Sequence, residues 1–251
     1  MERKEGVIRK IEDIGELVKK LDPELAKKVY SLRIEVDDLC DKYEDLTETD
    51  GLTELKNPRG FGNALNIEIS RANRLNHNVE SHEELNYIFS LFMIDLNKFK
   101  KLNDNYGHNA GDYFLKLFAN IMKQRIKREE DTIARVGGDE FSAILVYEKT
   151  IGETKPIKEF KEGIKNIAES LVYSFYDNAN SRLVMMEPLP GKNPVEDLSL
   201  SLGMTFFPRP SKTLFEVKQD ADKAMYQAKD AFKESLLKGE KSRGEIVIYT
   251  P

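Results

Sequence analysis

Three acids set the chemistry this sequence can support. Asp139 and Glu140 follow directly on Gly137-Gly138, between the apolar runs Thr132-Ile133-Ala134 and Phe141 to Tyr147. Both runs read as strands, and the Gly-Gly step reads as a tight hairpin, with glycine free to take positive φ. Asp95 ends a further apolar run, Tyr87 to Ile94, whose near-continuous hydrophobicity marks a strand buried on both faces. A carboxylate there is costly to bury without a partner, so it is expected to point into a cleft. If the two strands are neighbours, the three acids meet. Mg²⁺ binds through a few carboxylates plus the phosphate oxygens of a substrate. Two such ions lower the pKa of an attacking hydroxyl and stabilise in-line displacement at phosphorus. The competing reading of the same acids is a solvated turn and a capping group.

The elements that must position these acids can be read in order. Residues 1–46 carry apolar residues at Ile11, Ile14, Val18, Leu21, Leu25, Val29, Leu32, Val36, Leu39, Tyr43 and Leu46, a heptad pattern with one stutter. Asp22-Pro23 near the stutter suits an N-cap and a first helical position. The spacing predicts two helices or one kinked helix, forming either a coiled-coil stalk that dimerises the chain or a packed extension. Asn57-Pro58 opens a helix to about Asn76 by the same capping logic. Residues 77–86 are polar and loop-like. Residues 110–127 form an amphipathic helix and 157–177 another. Leu183 to Met186 suggests a short strand. Pro188, Pro190, Gly191 and Pro194 mark a loop. Leu198 to Phe207 is a strand, 213–238 a long helix, and Glu245 to Tyr249 a closing strand. This alternation predicts an α/β protein with a mixed sheet flanked by helices.

Composition narrows the class. A chain of 251 residues accommodates one large domain with an appendage, here 1–46 and 47–251. Its net charge of −5, from 39 basic and 44 acidic residues, argues against a binder of nucleic-acid polymers. The single cysteine, Cys40, cannot form an internal disulfide, which suits a reducing compartment. No apolar run approaches the roughly 20 residues of a membrane span, and no signal region follows the N-terminus. The expectation is a cytoplasmic protein.

Gly-Gly-Asp-Glu-Phe at 137–141 resembles the signature of the GGDEF domains, the diguanylate cyclases. Four further segments match in order, so the resemblance covers about residues 45 to 249. Asp50 to Phe61 is similar to the family's opening D-x-L-T-G-L-x-N-R-R-x-F, with Glu54 in place of Gly and Pro58 in place of the first Arg. Asp95 to Asp112 resembles D-x-D-x-F-K-x-x-N-D-x-x-G-H-x-x-G-D, with Asn97 for Asp. Ser201-Leu202-Gly203 matches an S-x-G strand, and Ala221 to Lys229 matches A-D-x-A-L-Y-x-A-K. The resemblance implies a palm-type α+β fold with a five-stranded central mixed sheet, plus the hairpin and the N-terminal helical extension.

It also implies roles. Asp95 and Asp139, with the Leu96 carbonyl, would hold Mg²⁺ or Mn²⁺, and Glu140 would assist at the metal or the reacting hydroxyl. Asn103 and Asp112 would read guanine, whose donor and acceptor edge suits an amide and a carboxylate. Lys100 and Lys229 would contact phosphate, Lys100 within the catalytic set. Lys233 stands where the family has Arg, keeping the charge but losing the bidentate fork; Lys241 and Arg243 are further cations near that end. Arg128 and Asp131 resemble the family's R-x-x-D inhibitory site, five residues before Gly137. Read without the family, that segment is a charged turn, Asn103 a helix cap, and each lysine a solvated face. His108 reads as structural, and His77 and His82 lack metal-ligand spacing.

The activity implied is condensation of two GTP into cyclic di-GMP by a homodimer, with the product as inhibitor. The alternative is a GGDEF domain that binds GTP or cyclic di-GMP without turnover.

Overall fold

The computed structural model describes residues 2–19, 22–46, 48–77, 85–148, 157–207, 214–238 and 242–248. The polar stretch 78–84, Tyr249 and Lys241 lie outside them. Two helices, α1 (Glu2–Lys19) and α2 (Pro23–Leu46), precede α3 (Pro58–Leu75). Then follow β1 (Tyr87–Asn97), α4 (Phe99–Tyr106), α5 (His108–Arg125), β2 (Thr132–Arg135), β3 (Glu140–Glu148), α6 (Ile157–Leu183), β4 (Ser199–Phe207), α7 (Leu214–Leu237) and β5 (Gly244–Ile248).

The capping signals act as the sequence suggests. Asp22 Oδ1 accepts from the backbone N–H groups of Glu24 and Leu25, and α2 starts at Pro23. Asn57 Oδ1 accepts from Gly60 N at 2.9 Å, with Pro58 at the first position of α3. The N-terminal pattern resolves into two helices that turn back on each other. Tyr30 Oη donates to Glu16 Oε1, and Arg33 pairs with Glu12 at 2.8 Å, so residues of α1 meet α2 in antiparallel order.

The sheet has the order β2-β3-β1-β4-β5; only the β4–β5 pair is parallel. β1 therefore lies in the middle, and its alternation feeds two cores. Tyr87, Phe89 and Leu91 pack with Phe61 and Leu65 of α3 and Val217 and Ala221 of α7. Phe92, Ile94 and Leu96 pack with α5 and α6, including Phe114, Phe118 and Phe175. Phe118 meets the rings of Phe141 and Phe175 edge-on at 4.9 and 5.3 Å. On the other face, the buried Glu68 accepts from Tyr87 Oη, tying α3 to β1. Burial first, and the Glu68 bond second, push that phenol's pKa up.

Four local expectations change. The chain 99–106, unassigned from sequence, is helix α4. α6 continues to Leu183, so the strand expected at 183–186 is instead a helix end followed by a turn. Residues 136–139 form a wider turn, closed by Val136 N and Gly137 N donating to Glu140 O. Neither glycine of that turn takes positive φ. Glu54 does, at φ 59°, where the resemblance leads one to expect Gly. A Cβ in that region is strained. Its side chain offers only a long, exposed contact to Lys123 at 3.5 Å in return. Glu54→Gly is expected to stabilise the fold by about 1 kcal/mol, measured as a higher urea midpoint at unchanged m-value.

Candidate active site

Register brings the acids together. Asp95 is paired with Glu140 on β3 and with Ser201 on β4, and Leu96 N donates to Asp139 O at 3.2 Å. Directly opposed residues share a face of the sheet. Asp95 and Glu140 thus face α7, while Phe141 turns into the opposite core. Asp95 is 8% exposed, and its Oδ2 lies 2.6 Å from Lys229 Nζ. Burial raises its pKa most; Lys229 pulls it back down, and the charges of Asp139 and Glu140 push it up again. The three carboxylates therefore feel one another across the strand ends.

Gly203 explains how Lys229 gets there. A Cβ on Gly203 would stand 2.1 Å from Met225 N, so only glycine lets α7 lie this close to β4. Lys229, one helical turn beyond Met225, then reaches Asp95. Asn97 is used up structurally: its Nδ2 donates to Ser199 Oγ, and its Oδ1 accepts from Ser201 Oγ.

The turn that carries Asp139 is held by a residue the motif reading left without a role. Arg135 is 5% exposed, and its Nε and Nη2 donate to Gly138 O at 3.1 and 2.7 Å. Its Nη1 lies 3.4 Å from both carboxylate oxygens of Asp50. Asp50 in turn accepts from Thr53 N and Thr53 Oγ1. The opening motif and the acidic turn are thus one structure. The signal was present: a basic residue just before the Gly-Gly step and an acid in the D-x-L-T segment.

Among the described residues no three His, Cys, Asp or Glu side chains stand in a ready-made metal cage. Glu140 folds over its own turn, where a Cβ on Gly137 would meet Glu140 Oε2 at 2.7 Å. The donor set still fits a hard divalent cation. It is all oxygen, and it gathers three carboxylates at one end of the sheet.

Asn103, on α4, lies against Gly111 of α5 so tightly that a Cβ there would sit 1.9 Å from Asn103 Oδ1. That buried Oδ1 has no hydrogen-bond partner, which is uncommon for a buried amide. Asp112 is adjacent in sequence to Gly111 and half-buried. Lys100 is exposed on α4. Lys233 is exposed on α7, paired with Asp230 at 3.1 Å and 5.8 Å from the Tyr226 ring centre.

Arg128 and Asp131 stand elsewhere. Both engage Val146: Asp131 Oδ1 accepts its N–H at 2.9 Å, and Arg128 Nη1 donates to its carbonyl at 3.2 Å. Val146 is six residues from Glu140 along β3, about 20 Å. A cavity of about 220 Å³ opens beside the pair, walled by Tyr147, Phe160, Ile164 and Ile167. Tyr147 and Phe160 stack at 5.4 Å. Burial raises the Asp131 pKa to about 6, against the opposing pull of its Val146 bond and Arg128.

Fold and site together define a palm-type α/β domain with an acidic cluster where its central strand meets a short hairpin turn. The family model of the diguanylate cyclase GGDEF domain matches residues 47–186, and the chain belongs to that family. It is 28% identical over 229 residues to the biofilm architecture maintenance protein MbaA of Vibrio cholerae, covering 89% of this chain and 25% of that protein. It is 32% identical over 180 residues to the diguanylate cyclase TpbB of Pseudomonas aeruginosa, covering 72% and 34%. The chain thus spans about a quarter to a third of the length of these relatives. Among solved structures, the coiled coil and GGDEF domain of DgcB from Caulobacter crescentus, in complex with c-di-GMP, aligns with a TM-score of 0.56. That alignment covers 91% of this chain and 98% of that one, at 22% identity, a likeness of fold. The GGDEF domain of Pseudomonas aeruginosa TpbB aligns at a TM-score of 0.52 and 28% identity, covering 80% and 94%.

The Asp131 shift has a definite sign. An acid whose pKa is raised by folding binds more protons folded than unfolded, so its ionisation lowers stability as pH climbs from about 4 to about 6. Asp131→Asn, which keeps an acceptor for Val146 N–H, is expected to melt higher than the parent at pH 7 and to lose nearly all of that advantage at pH 3.5. Thermal melts at the two pH values check it.

Proposed function

We propose that this chain is a diguanylate cyclase that condenses two GTP into cyclic di-GMP and two pyrophosphates. The observation that carries the reading is the register of β1 with β3, which sets Asp95 against Glu140 and beside Asp139, with Lys229 reaching over them. Asp95, Asp139 and the Leu96 carbonyl would hold the divalent ions, Mg²⁺ or Mn²⁺. Those ions, when bound, neutralise phosphate charge and acidify the attacking hydroxyl. Glu140 would assist at the metal or take the proton of that hydroxyl. Lys229 and Lys100 bind the phosphates, and Lys233 adds a point charge one helical turn beyond Lys229. Asn103, with its unpaired Oδ1, and Asp112 read the guanine edge.

The step balances simply. The 3′-oxygen of one nucleotide bonds to the α-phosphorus of the other, the bond to pyrophosphate breaks, and the hydroxyl proton leaves; the reciprocal step closes the ring. One protomer presents one nucleotide, so two must face each other, and holding them so supplies much of the acceleration. The α1–α2 pair supports that assembly. Leu25, Leu32 and Leu39 repeat every seven residues along α2, and with Ile14 they stand 47–67% exposed. Residues 1–46 act as the dimerising segment and 47–251 as the catalytic domain.

Product would inhibit at Arg128 and Asp131. Arg128 is 59% exposed at its side chain, which leaves guanidinium N–H groups for a phosphate or a guanine edge beside the aromatic cavity. A second reading, binding of GTP or cyclic di-GMP without turnover, draws on Lys233, which is engaged with Asp230 where the family places a forked Arg. The site as proposed needs no nucleic-acid polymer. No described helix is long and apolar enough to cross a membrane.

Incubation with GTP and Mg²⁺, read by mass spectrometry, is expected to give cyclic di-GMP and pyrophosphate. Asp139→Asn is expected to lower the rate about a hundredfold or more. Nucleotide bound but never converted would select the second reading. Leu32→Glu with Leu39→Glu is expected to make the rate per protomer steeply dependent on protein concentration, by disrupting the dimer while leaving each site intact.

A further inference from the structure

α4 is too short and too poorly capped to stand alone. It has eight residues, its N-cap Lys98 sits at φ 64° with no side-chain cap, and it ends at Gly107 with φ 86°. Isolated helices of this length are unstable in water. Yet α4 carries Lys100 and Asn103, and the amide of Asn103 must be placed closely to read a base. Beyond its packing on the core, α4 and its flank are tied by polar contacts to the loop between α6 and β4, while Lys98 Nζ also lies 5.8 Å from the ring centre of Phe232 on α7. Leu189 N donates to Asn105 O at 2.8 Å, and Asn105 Nδ2 donates to Asn193 O at 2.8 Å. Val195 N donates to Tyr106 Oη at 3.4 Å, and Lys98 Nζ pairs with Asp197. The Lys98 and Asp197 side chains are only 17% and 14% exposed, so their attraction is little screened.

The loop is itself fixed. Val195 and Leu198 are buried in the core, and Asn180 of α6 both accepts from Leu198 N and donates to Leu198 O. Lys192 N closes a turn onto Leu189 O across Gly191, at φ 78°. Asn105 and Asn103 are two residues apart, about 200° around the helix. The loop therefore grips one side of α4 while the other side presents Asn103 to Gly111. Lys98 lies between Asp95 and α4, so the same loop steadies the joint between the acids and the base reader.

We propose that residues 189–197 are a positioning brace for the nucleotide site. Lys98, Asn105 and Asp197 are its positioning residues, setting base affinity and discrimination through α4. This rests on the guanine-reading role given above to Asn103. All three act through α4, so loosening the brace acts on binding more than on the chemical step.

The test compares the full chain with Asp197→Asn, Asn105→Ala, and the exchanged pair Lys98→Asp with Asp197→Lys. Three readouts are taken: KM and kcat for GTP, hydrogen exchange of the amides of residues 102–107, and the melting temperature. Expected for each single variant are faster exchange in α4, a KM for GTP raised about tenfold with kcat within about twofold, and a melting temperature near the parent's. The exchanged pair restores both KM and α4 protection. Unchanged α4 exchange in both single variants, or a KM unmoved while α4 loosens, overturns the brace. So does a loss in kcat that the exchanged pair fails to rescue. If the parent makes no cyclic dinucleotide, the cyclase reading fails. Equilibrium binding of GTP then replaces KM: binding weakened about tenfold together with faster α4 exchange upholds the brace, and unaltered binding overturns it.

Discussion

The pairing of β1 with β3 and β4 is the constraint on which the rest depends. β1 is covered on both faces, so its side chains are committed alternately to two helix layers. A slip of one residue would send the Phe89 set into the layer that receives the Phe92 set, and would point Asp95 away from α7. Two large cores therefore enforce one register. Asp95 sits opposite Glu140 because phenylalanines and isoleucines farther along the strand leave no other fit. The arrangement of the acids is a consequence of hydrophobic packing some way from it.

Around that register, two cations solve opposite problems. Lys229 offsets the charge of a carboxylate that burial would otherwise drive towards its neutral form. It can do so only because Gly203 lets α7 lie against the β4 backbone. Arg135 works on backbone rather than on the acids. It fixes the Gly138 carbonyl and the Asp50 carboxylate, and so holds a turn that its glycines would leave loose. Phe141 anchors the same turn from the opposite face, locked edge-on against Phe118. A five-residue signature is thus held from three directions: a guanidinium, an aromatic core and a strand ladder.

The two ends of β3 carry different chemistry. Glu140 begins the strand beside the acidic cluster, and Val146 near its far end is gripped by Arg128 and Asp131. The rigid ladder between them is a physical connection of about 20 Å. The cavity with aromatic walls lies at the far end of the strand, and the acids lie at the near one.

Much of this was legible in the sequence. Asp22-Pro23 and Asn57-Pro58 announced helix starts because capping is local chemistry. The unbroken run of β1 announced a strand covered on both sides. The three acids stood out by residue type and by their place at strand ends, whereas Asn103 and the R-x-x-D pair were singled out by resemblance to the family. What remained hidden depends on contacts between residues far apart in the chain. The eight residues of α4 carry no strong signal because neighbours, not propensity, make them helical. The Gly-Gly turn read as a two-residue hairpin because local rules do not see Arg135 reaching for Gly138. Lys98 and Asp197 are 99 positions apart, and no periodicity joins them. The sequence alone determined which side chains were available and which segments must be helix or strand, since those follow from neighbouring residues and periodicity. Only the tertiary structure decided which of them meet, because burial on both sides of β1, and not any local preference, selects the register.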